Sequence, residues 1–494
     1  MDAIPNPNAV TIEDAESVRA QREKLPLYTP RVKVFPKQVS GIFRRLKSVT
    51  LVVLLGIYYL APWLRWDRGP GAPDQAFLID MPSRRAYFLW IEIWPQEVYY
   101  LAGLLIIGAF GLFLMTSLFG RVWCGFTCPQ TVWTDLFMWV EQWVEGDRNA
   151  RIKLDQGAWT AGKITKRTIK HVLWLLIALL TGGAWILYFH DAPTLVQDMM
   201  HLEIDGAVLF FIGLFTATTY LLAGFAREQV CTYMCPWPRF QSAMLDEDTL
   251  TVTYEEWRGE PRGHRKKDQD LSGLGDCVAC NQCVAVCPTG IDIRDGSQLE
   301  CIGCALCVDA CNTVMAALGR PPNLIAYDSI SRQVGREQGA TPRYRLIRPR
   351  TLIYAVLLVL VGGAILYSLW SRPSVGLNVI RDRNPLFVQL SDGSIRNGFT
   401  VKILNKQRRQ RDFILGVHGL PDAKVTVVGQ GGAHPTVWLG ADPDAVTAFR
   451  IFVKAPAQNL AGKSTPFAFV IRENAGNEPG DSERHKSVFR GPEK

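Results

Sequence analysis

The chain alternates long apolar stretches with polar, basic connectors. Five stretches stay apolar over roughly the 20 residues that a bilayer crossing needs: Val49–Trp66, Val98–Phe119, Val172–Phe189, Ala207–Phe225 and Leu352–Trp370. Each predicts a transmembrane helix. From Pro129 to Glu145 the pattern is helical but one-sided, with Val132, Leu136, Val140 and Val144 at every fourth position and Trp133, Phe137, Trp139 and Trp143 beside them. That spacing predicts an amphipathic helix in the membrane interface, and Ala86–Trp94 is expected to do the same on the opposite side. After Trp370 the period shortens to alternating runs broken by Gly, Pro, Asp and Asn. Seven strands are predicted: Leu386–Leu390, Gly398–Leu404, Asp412–Val417, Lys424–Val428, Thr436–Leu439, Ala448–Val453 and Pro466–Ile471. Short strands at this spacing suggest an immunoglobulin-like β-sandwich, here without a cysteine staple. The tail from Asn474 is expected to be loosely ordered, Arg258–Gln269 to be a flexible link, and Asp328–Pro349 the matching return link.

These patterns predict a polytopic α-helical membrane protein with five transmembrane helices. Its expected parts are a basic N-terminal segment (1–47), a four-helix membrane domain (48–257), an inserted cysteine-rich domain with linkers (258–350), a fifth helix (351–371) and a C-terminal β-sandwich (372–494).

Charge orients the spans. Nine Lys and Arg precede the first, from Arg19 to Lys47, and eight lie between the second and third, from Arg121 to Lys170. The connector His190–Asp205 carries none, and the stretch before the fifth span closes with Arg343, Arg345, Arg348 and Arg350. The positive-inside rule then puts the N-terminus and the cysteine-rich domain in the cytoplasm and the β-domain outside. The net charge of +8 reads as this bias, and no nucleic-acid-binding pattern accompanies it. All twelve cysteines fall on the side assigned to the reducing cytoplasm, which keeps them available as ligands.

Eight of them form two runs of C-x2-C-x2-C-x3-C. Cys277, Cys280, Cys283 and Cys287 precede Pro288, and Cys301, Cys304, Cys307 and Cys311 precede Asn312. This is the pattern of a ferredoxin with two [4Fe–4S] clusters, in which the fourth cysteine of each run ligates the other cluster. Cys277, Cys280, Cys283 and Cys311 are therefore assigned to one cluster, and Cys301, Cys304, Cys307 and Cys287 to the other. Zinc is the alternative reading of spaced C-x2-C pairs, but two zinc sites usually separate their pairs by longer loops. Two neighbouring clusters mean electron transfer.

The remaining four cysteines form a repeat. Cys124 and Cys128 recur as Cys231 and Cys235 at one constant offset, each pair reading C-x3-C-P after an apolar span, with Arg121 or Arg227 just upstream. Residues i and i+4 share a helix face, and the prolines end the helix at the second cysteine. Two such tips would bring up to four thiolates together near the membrane surface, a soft site suited to Cu(I), zinc or iron–sulfur. Four ordinary buried cysteines are the alternative. Trp123, Tyr233 and Trp237 are candidates to shield the sulfurs. On the outer side, Met199, Met200 and His201 form a possible soft-donor contact, and His190 flanks the same connector.

The order of these parts, with the run Gly120-Arg121-Val122-Trp123-Cys124-Gly125-Phe126-Thr127-Cys128-Pro129, resembles the cytochrome c oxidase accessory proteins called CcoG, FixG or RdxA over essentially the whole chain. The resemblance implies a bacterial inner-membrane protein with a periplasmic C-terminal domain, acting in cbb3-type oxidase assembly. It implies a cupric reductase, reducing Cu(II) to Cu(I) at Cys124, Cys128, Cys231 and Cys235. Copper chaperones and assembly factors would be its partners, and a cytoplasmic reductant or a quinol its electron donor. The C-x3-C-P pairs also resemble those of quinol-linked membrane ferredoxins of the NapH and NosR types, so a quinol conduit is a second reading. A redox-sensing assembly scaffold is a third.

Overall fold

The computed structural model describes residues 13–17, 32–69, 71–263, 273–474 and 480–492. They divide into two compact units, one made of residues 1–68 and 73–365, the other of 69–72 and 366–494.

Among the described residues five helices are long and apolar enough to cross a membrane: Ile42–Trp63, Pro95–Phe119, Ala161–Ile186, Gly206–Met234 and Pro349–Trp370. The first begins seven residues before the apolar run. Helix α1 (Ile42–Leu60) starts there because the Asp309 carboxylate accepts the N–H groups of Phe43 and Arg44, at 3.3 and 2.8 Å, satisfying donors that the first turn leaves open.

The segment Ala86–Trp94 is not an interfacial helix. Strands β1 (Phe77–Asp80), β2 (Arg85–Phe88) and β3 (Ile91–Ile93) form an antiparallel meander. Alternation of Tyr87 and its neighbours has period two here, and Tyr87 is the buried member. Helix α2 (Tyr99–Phe119) follows and ends at Gly120. The one-sided helix α3 (Pro129–Glu145) packs Val132, Phe137 and Val140 inward while Trp139 and Trp143 stay exposed. After α4 (Arg148–Gln156), α3 meets α5 (Ala161–Ile186), where Trp174 stacks on Phe137 at 5.2 Å and donates its indole N–H to the Phe137 carbonyl. Helix α6 (Ala192–His201) caps the end of α5, and α7 (Gly206–Thr219) lies along α5 before passing into a π-helical stretch, Tyr220–Ala226.

The repeat seen in the cysteines extends to the backbone. Gly120 and Arg227 hold equivalent positions and share one unusual conformation, φ 59 and ψ −129 against φ 35 and ψ −111. Each kink precedes a π turn, Trp123–Thr127 or Val230–Met234, closed by an N–H···O bond of 2.8 Å from the second cysteine to the residue five before it. The helix does stop at each second cysteine, as the following proline requires.

The cysteine-rich part is framed by strands β4 (Thr251–Tyr254) and β5 (Ile325–Asp328), paired antiparallel, and by helix α8 (Leu306–Ala317). Its expected linkers are partly folded. Gly263 donates to the Cys277 carbonyl and Arg258 bonds the carbonyls of Pro321 and Pro322, so Arg258–Gly263 is fixed, while the link beyond it to residue 272 lies outside the described residues. In the return link, α9 (Ile330–Glu337) is held by Arg336 bonds to Glu255 and Asp328. The last span is α10 (Pro349–Trp370).

The second unit is a two-sheet β-sandwich. One sheet runs β10-β12-β8-β6, with β7 also on β8, and the other runs β11-β9-β13-β14. The strands are β6 (Val375–Arg381), β7 (Val388–Gln389), β8 (Ile395–Asn405), β9 (Arg411–His418), β10 (Lys424–Val427), β11 (Thr436–Ala441), β12 (Ala445–Ala455), β13 (Ser464–Glu473) and β14 (Ser482–Arg490). All seven predicted strands are present, and β6 and β14 are additional. Of the expected loose tail, residues 475–479 and 493–494 lie outside the described residues, and Ser482–Arg490 is instead β14, which pairs along β13 and buries Phe489 beside Phe467, Phe469 and Phe399. Its charged residues Glu483, Arg484, His485 and Lys486 hide the one aromatic that anchors it.

Candidate functional site

The two ferredoxin runs fold alike because each wraps its second cysteine between left-handed residues. Ala279 and Asn281 have φ 52 and 55; Gly303 and Ala305, at the same places in the second run, have φ 72 and 57. Alternating handedness of this kind turns successive backbone N–H groups inward into an anion-binding nest, and backbone N–H groups of Gly303 and Leu306 are directed at the Cys301 and Cys304 sulfurs.

The expected first set is Cys277, Cys280, Cys283 and Cys311, and the second Cys287, Cys301, Cys304 and Cys307. Cys311 has Cys280 and Cys277 as charge neighbours, and Cys283 has Cys311 and Cys280. Cys287 acts on Cys301, Cys304 and Cys307, and Cys283 also acts on Cys307, so the two sets stand side by side. Cys277 and Cys283 share a core with Val252, Tyr254, Val284, Met315 and Ile325, against which Cys280, Cys301, Cys307 and Cys311 also pack. Cys304 and Cys307 lie against Val286, Ile302, Leu306 and Ala310. Among the described residues no three His, Cys, Asp or Glu side chains close around a single ion. Eight buried or half-buried thiols, backbone N–H groups aimed at sulfur and apolar walls are the donor set that iron–sulfur clusters use.

The membrane-proximal cysteines meet the second set. Cys124 and Cys231 pack against the core that holds Cys304 and Cys307. Gly125, between Cys124 and Cys128, lies so near the second run that a Cβ there would stand 2.9 Å from the Gly303 carbonyl oxygen and 3.0 Å from Cys304 Cα. Gly303 in turn abuts Arg121, at 3.2 Å from where its own Cβ would be. This explains glycine at 303 where the first run carries Ala279. Arg121 is buried and donates to the carbonyls of Leu299, Cys301 and Pro238, joining both repeats to the Cys301 loop. Arg227 has a different role, bonding the Gly224 carbonyl and Glu141.

The four sulfurs of the repeat lie within electrostatic reach of one another: Cys128, Cys231 and Cys235 all act on Cys124. Burial pushes the Cys124 thiol up to about 12, with Cys128 adding to the rise and Arg121 opposing it. Its Sγ donates to Gln241 Oε1 at 3.0 Å, and Gln241 donates on to Thr116. Burial also raises Cys128, but the first N–H groups of α3, from Thr131 and Gln130, point at its sulfur and work against that rise. These N–H groups limit the rise without reversing it, so the Cys128 thiol stays above its ordinary value.

Of the other expected contributors, Trp123 is 41% and Tyr233 53% exposed, and Trp237 stacks on Phe113 of α2. Met199 packs into the core of α5 to α7 while Met200 is 73% exposed. Residues that sequence reasoning passed over are Gln241, Asp135 and Lys47. The first two carry no motif, and Lys47 counts in the sequence as one more basic residue before a span.

Residues 226–330 match the family model described as a 4Fe-4S dicluster domain, residues 101–150 a 4Fe-4S binding domain, and residues 365–492 the immunoglobulin-like fold at the C-terminus of FixG. The nitrogen fixation protein FixG of Rhizobium meliloti is 50% identical over 494 residues, covering 94% of each chain. Protein RdxA of Cereibacter sphaeroides is 48% identical over 471 residues, covering 94% of this chain and 99% of that one. Protein RdxB of the same organism is 49% identical over 474 residues, covering 94% and 97%.

Proposed function

The chain belongs to the FixG/RdxA family of membrane iron–sulfur electron-transfer proteins, and we propose that it reduces Cu(II) to Cu(I) during assembly of a cbb3-type cytochrome c oxidase. The observation that supports this reading is the contact of Gly125 with Gly303 and Cys304, which sets the thiols of the repeat beside one of the two ferredoxin sulfur sets. Cys277, Cys280, Cys283 and Cys311 hold one [4Fe–4S] cluster, and Cys287, Cys301, Cys304 and Cys307 the other. When bound, each cluster supplies a one-electron relay.

The residues of the repeat do the rest. Cys124, Cys128, Cys231 and Cys235 bind copper, and soft thiolates favour Cu(I) over Cu(II). The thiols release their protons as they take up copper, and one electron then reduces Cu(II) to Cu(I). Gln241 holds Cys124 in place. The chain sits in the bacterial inner membrane with its cysteine-rich part cytoplasmic and its β-sandwich periplasmic, as the Lys and Arg bias favours. A cytoplasmic reductant or a quinol supplies electrons, and copper chaperones and oxidase assembly factors receive the Cu(I).

The match of residues 101–150 to a 4Fe-4S binding model favours a second reading, in which the repeat thiols hold iron–sulfur instead. Anaerobic Cu(I) competition titration of the full-length protein, with iron counted on the same sample, separates the two. Tight Cu(I) binding that is lost when all four cysteines become serine, with two clusters' worth of iron in both proteins, supports copper. A third cluster's worth of iron that the same substitution removes sinks it.

A further inference from the structure

A cavity lies where the first span begins, between α3 and the ferredoxin runs. It holds about 150 Å³, and cavities of roughly that volume take up a benzene-sized ring. Its apolar walls are Val39, Met138 and Trp139 on one side and Val286, Pro288 and Leu306 on the other. Among the described residues no cysteine lines it, so it is not the space that a cluster would fill. Val286 and Pro288 are the chain neighbours of Cys287, and Leu306 is the chain neighbour of Cys307. Val286 and Leu306 also belong to the core that holds Cys304 and Cys307. One wall of the cavity is thus made of residues bonded directly to members of the second sulfur set.

The opposite wall belongs to the membrane interface. Trp139 stands on the one-sided helix α3 and is 55% exposed, as tryptophan at headgroup depth is, so a lipid-soluble ligand can enter beside it. Asp135 of the same helix also lines the cavity. Its Oδ1 lies 2.8 Å from Arg44 and 3.3 Å from the buried Lys47, while its Oδ2 is buried with no hydrogen-bond partner among the described residues. A buried acceptor left unpaired is costly, and this one calls for a donor. A phosphate does not answer it, because it would set a second negative charge against Asp135. Lys37, at the edge of the cavity, is already engaged by Glu13 at 2.5 Å. A hydroxyl carried on a flat apolar ring supplies the donor and fills the walls at once.

We propose that this cavity is a quinol-binding site, in which Asp135 Oδ2 accepts a hydrogen bond from a quinol hydroxyl and Trp139 covers the ring on the lipid side. The inference deepens the proposed function by choosing between its two electron donors, and rests on it for the clusters that take the electrons. Oxidation breaks both O–H bonds of the quinol. Two protons leave to water at the polar edge of Lys37, Gln38 and Gln142, and two electrons leave, one for each of the two centres. The product quinone has no hydroxyl to offer Asp135, so the site holds the reduced form more tightly than the oxidised one.

The test is anaerobic isothermal titration calorimetry on the full-length protein in detergent, without copper. Decylubiquinol is titrated into dithionite-reduced protein, where it is not consumed, and decylubiquinone into oxidised protein. In Asp135→Asn, Arg44 and Lys47 keep the amide oxygen on their side and leave the NH2 in the place of Oδ2. Quinol binding should weaken about tenfold, the scale of one hydrogen bond to a charged acceptor, while quinone binding stays the same or tightens. Loosened packing would weaken both forms alike. Trp139→Ala, at an exposed position, should weaken both forms about tenfold with iron content unchanged. Absence of saturable quinol binding to the wild type, equal losses of both forms in Asp135→Asn, or wild-type affinity in Trp139→Ala would overturn the site. If Asp135→Asn loses its iron, Trp139→Ala decides alone. Any of these failures leaves copper reduction standing, because chemically reduced protein tests that reaction without a quinol.

Discussion

Gly125 and Gly303 meet backbone to backbone, one from the first C-x3-C-P motif and one from the second ferredoxin run. Neither place has room for a side chain, and Gly303 is also left-handed. The contact joins the membrane repeat to the Cys301–Cys311 run rather than to Cys277–Cys287.

Gly125→Ala should therefore cost about 1–3 kcal/mol, the range for overpacking an interior that cannot give, because the new methyl faces backbone atoms. Its cluster absorbance should melt at lower temperature than wild type. Ala279→Gly, at the matching place in the first run, should leave the melting temperature nearly unchanged. Equal behaviour of the two variants would remove the contact's importance.

An ion cluster beneath α3 makes a prediction about acid. Burial pushes the Glu141 carboxyl up, but Arg227, Lys170 and Arg151 outweigh it and hold it at about 2, below its ordinary 4.5. A depressed carboxyl contributes stability that is fully present above the unfolded value and is lost as pH falls through the folded one. That contribution should be complete above pH 4.5 and disappear toward pH 2. Glu141→Gln, which strands buried cations, should lower stability at neutral pH and flatten the slope across that window. Tryptophan fluorescence during acid titration reads both effects, and an unchanged slope would assign the acid sensitivity elsewhere.

In the β-sandwich, Arg411 is the central cation. Its side chain is 1% exposed and bonds Glu473, Asp481 and Ser374. Removing one partner of a buried ion pair costs about 3–5 kcal/mol. Arg411→Met should lower the calorimetric transition of this domain in the full-length protein by that much, leaving cluster content unchanged. A shift worth less than about 1 kcal/mol would show that water compensates Glu473.

Much of this arrangement was legible in the residues themselves. Ligand spacing is local chemistry, so the two ferredoxin runs and the repeated C-x3-C-P motifs announce themselves, as do five apolar spans and the seven strands with period-two alternation. What stayed hidden depends on tertiary packing. Ala86–Trp94 is too short for its periodicity to separate strand from helix. β14 is polar but for Val488 and the buried Phe489 and finds its place by pairing with β13. The start of α1 at Ile42 is set by Asp309, far away in sequence. Lys47 looks like its basic neighbours until α1 docks, and nothing in its local sequence marks it as buried.

The most direct test of copper reduction is a single-turnover experiment on anaerobically reduced full-length protein, mixed with Cu(II) and a Cu(I)-specific chromophore. Cluster reoxidation should match Cu(I) formation one electron for one ion. The variant with Cys124, Cys128, Cys231 and Cys235 all changed to serine should keep its clusters but react at least about tenfold more slowly, a loss of roughly 1.4 kcal/mol or more in the activation free energy. Equal rates in the two proteins would contradict the account, because copper would then be reduced without the thiols that Gly125 and Gly303 bring to the clusters.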